Sequence, residues 1–159
     1  MLKKTIFFAM LVAQIQAGTI DGVVVAITDG DTLKMITSDK REIKIRLAKI
    51  DAPEKTQAFG QASKKALSDI CFNKPLHVEI ETIDRYGRTV GTATCKGVNA
   101  NMEQIKNGMA WVYVKYTKDK KFIEEEQKAR EKKVGLWSEP TATPPWEYRR
   151  IKPFRTSSL

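Results

Sequence analysis

Three short stretches place acids and arginines where turns meet extended chain: TDGDT at 28–32, IRLAKIDAPE at 45–54 and DRYGR at 84–88. A hard divalent cation needs two or more oxygen ligands. Asp31 and Asp51 can each give a carboxylate oxygen, and the Ala52 carbonyl with several waters can complete a loose shell of the kind that suits calcium. Phosphoryl chemistry needs positive groups where negative charge develops, and Arg46 and Arg88 can hold a phosphodiester by forked hydrogen bonds. Glu54 would then stand on the water side as a base.

Each stretch alone has an ordinary explanation. Asp and Gly are what hairpin turns use, so DGD needs no ligand. In DRYGR, Gly87 supplies positive φ, and Asp84 with Arg88 can form a local ion pair. In IRLAKIDAPE, Asp51 can cap a helix whose first turn holds Pro53 and Glu54. It is the combination that favours chemistry. A protein that merely holds single strands gains nothing from carboxylates beside a polyanion, because only a bound cation reverses their sign.

The elements around these residues follow from hydrophobic periodicity. Runs at 20–27, 32–37 and 42–50, separated by turn residues, predict a three-stranded meander. Arg46 and Asp51 are an odd number of positions apart and would face opposite ways on a flat strand, so the chain must bend near Lys49 and Ile50. Phe59, Ala62, Ala66, Leu67 and Ile70 recur at helical spacing, predicting a helix from beyond Pro53 to about Phe72. Segments 76–83 and 89–95 predict a hairpin around DRYGR.

A short helix follows, capped by Asn99 and stopped by Gly108, and then an extended stretch at 110–114. Residues 119–134 read as a charged helix with Glu124 facing Lys128 and Glu126 facing Arg130. From Ser138 the composition turns to proline and threonine, and no regular element is expected there. The sum is an α+β fold: a five-stranded OB-type β-barrel with about three helices.

With 28 Lys and Arg against 19 Asp and Glu, the chain is basic, and it stays so when Lys3 and Lys4 are discounted. That excess suits nucleic acid or an anionic membrane surface without choosing between them. Residues 1–17 place two lysines before an apolar run and end in small residues, the pattern of a secretory signal peptide; a retained anchor or a buried helix is the other reading. Export would put Cys71 and Cys95, whose spacing fits neither a zinc knuckle nor a redox pair, where they can bond to each other.

IRLAKIDAPE, TDGDT and DRYGR, with the later NGMAWVYVKY and GLWSEP, resemble the thermonuclease family, the staphylococcal-type secreted nucleases, over most of residues 20–139. The resemblance implies calcium at Asp31, Asp51 and the Ala52 carbonyl, with Asp29 and Thr32 close by. It implies Arg46, Glu54 and Arg88 as the catalytic set, and cleavage of DNA or RNA to 3′-phosphate products by attack of water on phosphorus. The family often has threonine where this chain has Ala52, a change that a carbonyl ligand tolerates. Tyrosines near 113–116 line the nucleotide pocket in the family; Tyr116 matches better and Tyr113 less well.

Trp111 reads as core and His77, lacking a second histidine or cysteine nearby in sequence, as structural. The expected organisation is a signal at 1–17, a nuclease-like domain at 18–139 and an extension at 140–159 packed on that domain or partly flexible. The whole is expected to be exported, monomeric and without stable membrane association after cleavage.

Overall fold

A computed structural model describes residues 18–151; the expected signal segment lies outside them. Strands β1 (Thr19–Ile27), β2 (Thr32–Ile36) and β3 (Glu42–Leu47) form the antiparallel meander, with Thr32 opposite Arg46. The run predicted at 42–50 is broken. Lys49 takes a left-handed conformation, φ 69°, and the chain resumes as the two-residue strand β4 (Ile50–Asp51). The break reconciles Arg46 with Asp51, since a turn cancels the strand's alternation.

Helix α1 (Gly60–Cys71) begins later than the sequence suggested. Residues 52–59 form an irregular connection, with the Gln57 N–H donating to the Glu54 carbonyl at 2.8 Å. Asp51 and Glu54 therefore do not open a helix. Strands β5 (Pro75–Ile83) and β6 (Thr89–Cys95) make the hairpin, β5 pairs with β1, and β6 lies parallel beside β3 with Ile45 opposite Thr89. That last pairing closes a five-stranded barrel.

The short strand β7 (Val98–Asn99) leads into α2 (Ala100–Lys106), where the Asn99 side chain accepts from the Met102 N–H at 2.9 Å. Strand β8 (Trp111–Val112) pairs with β4, setting Asp51 opposite Trp111. Helix α3 (Lys120–Glu131) is capped by Asp119. Of its two expected ion pairs, Glu126 meets Arg130 at 3.5 Å, whereas Lys128 turns to Glu125 at 2.7 Å. A 3-10 turn (Gly135–Ser138) and a fourth helix, α4 (Pro145–Ile151), follow, regular structure that the proline-rich composition had hidden.

Val24, Leu33, Met35, Ile45, Leu47 and Val78 fill the barrel, and Leu67 and Ile105 seal it from α1 and α2. Each fully buried side chain of this size contributes about 1.5–3 kcal/mol. Cys71 and Cys95, both without exposure, form a disulfide with Cα atoms 5.2 Å apart, tying the end of α1 to the end of β6. A second cluster gathers Trp111, Ala129, Leu136 and Trp137, with Trp146 of α4 packed against it. Arg130 lays its guanidinium 3.7 Å from the Trp137 ring centroid, a cation on an aromatic face.

Candidate active site

The turn between β1 and β2 carries Asp29 and Asp31, and its tightness depends on Gly30. A Cβ at that position would lie 1.8 Å from the Ser63 hydroxyl oxygen of α1. Gln104 of α2 donates through Nε2 to the Gly30 carbonyl at 2.7 Å and to the Ser63 carbonyl at 3.0 Å, fixing the turn from below. Asn101, one helical turn earlier, donates to the carbonyls of Ala48 and Gly91 and accepts from the Ala93 N–H. These two buried amides hold the β1–β2 turn and the break after β3 against one helix. Sequence reading missed both, although polar residues at i and i+3 beside Ile105, on the face that makes core, were the available signal.

On that support the acids converge. Asp31 accepts from the Thr32 hydroxyl at 2.9 Å, and through Oδ2 from the Ala52 N–H at 2.9 Å. Arg46 Nη2 lies 3.3 Å from Asp31 Oδ2 and 3.3 Å from Asp51 Oδ1, while Nη1 donates to the carbonyls of Leu47 and Ile50. Two nearly buried carboxylates thus share one guanidinium nitrogen. Burial pushes the Asp51 carboxyl above its ordinary range, even with hydrogen bonds from Arg149 pulling the other way. Burial, and then the charge of Asp31, raise Asp29 to about 7.

Crowded acids with raised pKa values are what a bound cation relieves. Among the described residues no group of three or more His, Cys, Asp or Glu side chains is placed to hold a metal. A cation here would rest on Asp31 and Asp51, with backbone and water oxygens beside them, an all-oxygen set suited to a hard ion. Ala52 is buried at the same spot with its N–H on Asp31.

Glu54 lies at the rim, its backbone N–H donating to Gln57 Oε1 at 3.1 Å and its Oε1 accepting from Arg149 Nη1 at 2.8 Å. Arg88 is on the approach to β6. Because Val90 pairs with Arg46, the parallel register brings the start of β6 beside β3. Its Nε donates to Asp84 Oδ2 at 2.7 Å, and among the described residues no ion pair joins it to Asp31, Asp51 or Glu54. Partial burial of Asp84 works to raise its pKa, but its hydrogen bonds with Arg88 and the Tyr86 N–H outweigh this and leave it below the ordinary value.

Tyr113 and Tyr116 meet edge to face at 4.7 Å, Tyr116 being 68% exposed and Tyr113 half-buried. Trp146 stacks coplanar on Tyr113 at 5.3 Å. Trp111 is buried, as core, and His77 pairs with Asp21 at 2.8 Å on the surface. Arg149 is the functional-site residue with no forecast. Its Nη2 donates to Asp51 Oδ2 at 2.7 Å and its Nη1 to Glu54 Oε1, so it touches two of the acids that the sequence singled out. The one available signal was the i,i+3 spacing of Trp146 and Arg149.

Comparison with known proteins gives a consistent picture. The model of a family described as staphylococcal nuclease homologue matches residues 44–139. A Haemophilus influenzae protein named as an uncharacterized endonuclease is 44% identical over 127 residues, covering 80% of this chain and 71% of its own length. A Shigella flexneri protein named micrococcal nuclease is 40% identical over 140 residues, covering 81% of this chain and 80% of its own. Protein ParB of Escherichia coli is 40% identical over 162 residues, covering 94% and 91%.

Proposed function

From the chain's place in the staphylococcal nuclease family, to which it belongs, we propose that it is a calcium-dependent phosphodiesterase that cleaves DNA and RNA and leaves 3′-phosphate ends. The observation that carries this reading is the convergence of Asp31 and Asp51 on Arg46 Nη2, 3.3 Å from each. A calcium ion held by these two acids would supply positive charge beside a phosphodiester and acidify water.

The chain's own residues do the rest. Arg46 Nη1 is anchored on the Leu47 and Ile50 carbonyls, while Nη2 has only long contacts to its two acids and is the donor that turns to a phosphoryl oxygen gaining charge as phosphorus becomes five-coordinate. Arg88, fixed from behind by Asp84 through Nε, has its two terminal nitrogens for the same group. Glu54, 41% exposed at its side chain, accepts the proton of the attacking water as the P–O5′ bond breaks, and the departing 5′ oxygen takes up a proton from solvent to leave a 5′-hydroxyl. The exposed ring of Tyr116 offers a face on which a base can stack.

Among the described residues no helix is long and apolar enough to cross a membrane. The composition of residues 1–17, together with the disulfide, supports export, and a monomer is the proposed working state.

The deciding experiment incubates the purified protein with plasmid and with RNA in calcium, in chelator, and as the Glu54→Gln variant. Cleavage that needs calcium and collapses in the variant is expected. Cleavage indifferent to both changes would reject the reading.

A further inference from the structure

We propose that Arg149 is a positioning residue of the same site, holding Asp51 and Glu54 in fixed relation from a helix that lies outside the barrel; the proposal rests on the nuclease reading above. Helix α4 has only seven residues, too few to persist without tertiary support. Its support is specific. Trp146 stacks on Tyr113 at 5.3 Å and meets Trp111 edge to face at 5.8 Å. The Tyr148 hydroxyl donates to the Thr56 carbonyl at 3.2 Å, and Gln57 Nε2 donates to the Thr143 carbonyl at 2.7 Å.

Arg149 stands three residues after Trp146 and so shares its face of the helix. Two of its contacts are short, Nη2 to Asp51 Oδ2 at 2.7 Å and Nη1 to Glu54 Oε1 at 2.8 Å, while Nη1 also lies 3.3 Å from Asp51 Oδ1. Arg46 touches the acids at 3.3 Å. Hydrogen bonds near 2.7–2.9 Å are the strong, charge-assisted kind. One planar fork therefore ties the Asp51 carboxylate, at the end of β4, to that of Glu54, which the irregular connection would otherwise leave to turn. A carboxylate has about four lone-pair sites. Asp51 Oδ1 receives only the long 3.3 Å contacts of Arg46 Nη2 and Arg149 Nη1, so it keeps a lone pair for a cation, and a guanidinium on Glu54 Oε1 leaves that group able to take a proton.

Arg149→Ala removes both orientation and a positive charge, and the two losses act oppositely. Calcium binding, measured by calorimetry on the full chain, should be unchanged or a few-fold tighter, because a repelling charge has gone. Turnover on a single-stranded oligonucleotide should fall about 10–100-fold, the usual cost of losing a hydrogen-bond partner behind a functional carboxylate, with KM within about twofold. Arg149→Lys, keeping charge without the fork, should restore calcium affinity to the parental value and recover only part of kcat.

Trp146→Ala, which undocks the helix from its aromatic seat, should reproduce Arg149→Ala. In a Glu54→Gln background, Arg149→Ala should cost less than about threefold more, since residues acting through one another are not additive. Tighter calcium binding with raised kcat would overturn the proposal, making α4 a cover over the site. Loss of both affinity and turnover with a lowered melting temperature would also overturn it, leaving a packing role. If Glu54→Gln is inactive while Arg149→Ala is normal, only this inference fails. A Glu54→Gln variant that stays active and also ignores chelator removes the nuclease reading with it.

Discussion

The Asp31 carboxylate receives the backbone N–H of Ala52 at 2.9 Å, so the turn after β1 and the end of β4 are pinned to each other through one oxygen. Asp31→Asn keeps an oxygen for that hydrogen bond and discards the charge. We expect it to fold with a melting temperature within a few degrees of the parent, while calcium binding weakens at least about tenfold. Calorimetric titration beside thermal unfolding separates the two effects, and undiminished calcium affinity would remove Asp31 from the cation's ligands.

Arg46→Ala and Arg88→Ala should each lower turnover at least about a hundredfold, as for other donors aimed at developing charge. Near-normal cleavage by both variants would reject their roles. Circular dichroism of each checks that the barrel has survived, which for Arg46 is a real question because its Nη1 also donates to two carbonyls.

Asp29, raised from 3.8 to about 7, gives a signed pH dependence. Below pH 3.8 the group is protonated in both folded and unfolded chains. As pH rises toward 7 the unfolded chain releases the proton while the folded chain retains it, and stability is lost. In chelator, the parent should therefore lose roughly 1–3 kcal/mol relative to Asp29→Asn between pH 4 and 7.5. Equal slopes for both proteins in urea titrations across that window would contradict the assignment.

The disulfide closes a loop between positions 24 apart and lies at the junction of α1 and β6. Replacing Cys71 and Cys95 together by alanine should cost about 2–4 kcal/mol of stability. Specific activity well below the melting transition should stay within about twofold, since neither residue touches the site. A large loss of activity at full folding would show that the crosslink bears on the arrangement of Asp31, Asp51 and Glu54.

Binding of substrate in chelator should weaken linearly in log–log salt plots, because each phosphate contact releases counterions. Fluorescence anisotropy of a labelled oligonucleotide measures the slope, and a slope of zero would remove the electrostatic basis of recognition.

Local chemistry made much of the fold readable in the sequence. Runs bounded by turn residues at 32–37 and 89–95 gave strands, Asn99 gave a cap, and the odd separation of Arg46 and Asp51 required the bend that Lys49 supplies. The start of α1 was not readable, because Phe59 adopts φ 63°, a conformation with no residue-type signature in an aromatic side chain. Nor could pattern reveal Arg149. It meets Asp51 across 98 positions, and its helix forms only where two tryptophans and a tyrosine stack. The acids and arginines nearer in sequence were legible because their turns were, whereas Asn101 and Gln104 looked like ordinary members of a short helix.

The connection at 139–144 between the 3-10 turn and α4 is exposed over its first three residues. A single peptide-bond cut there would leave every barrel strand intact yet free Arg149 from its tether, so limited proteolysis could silence the protein without unfolding it.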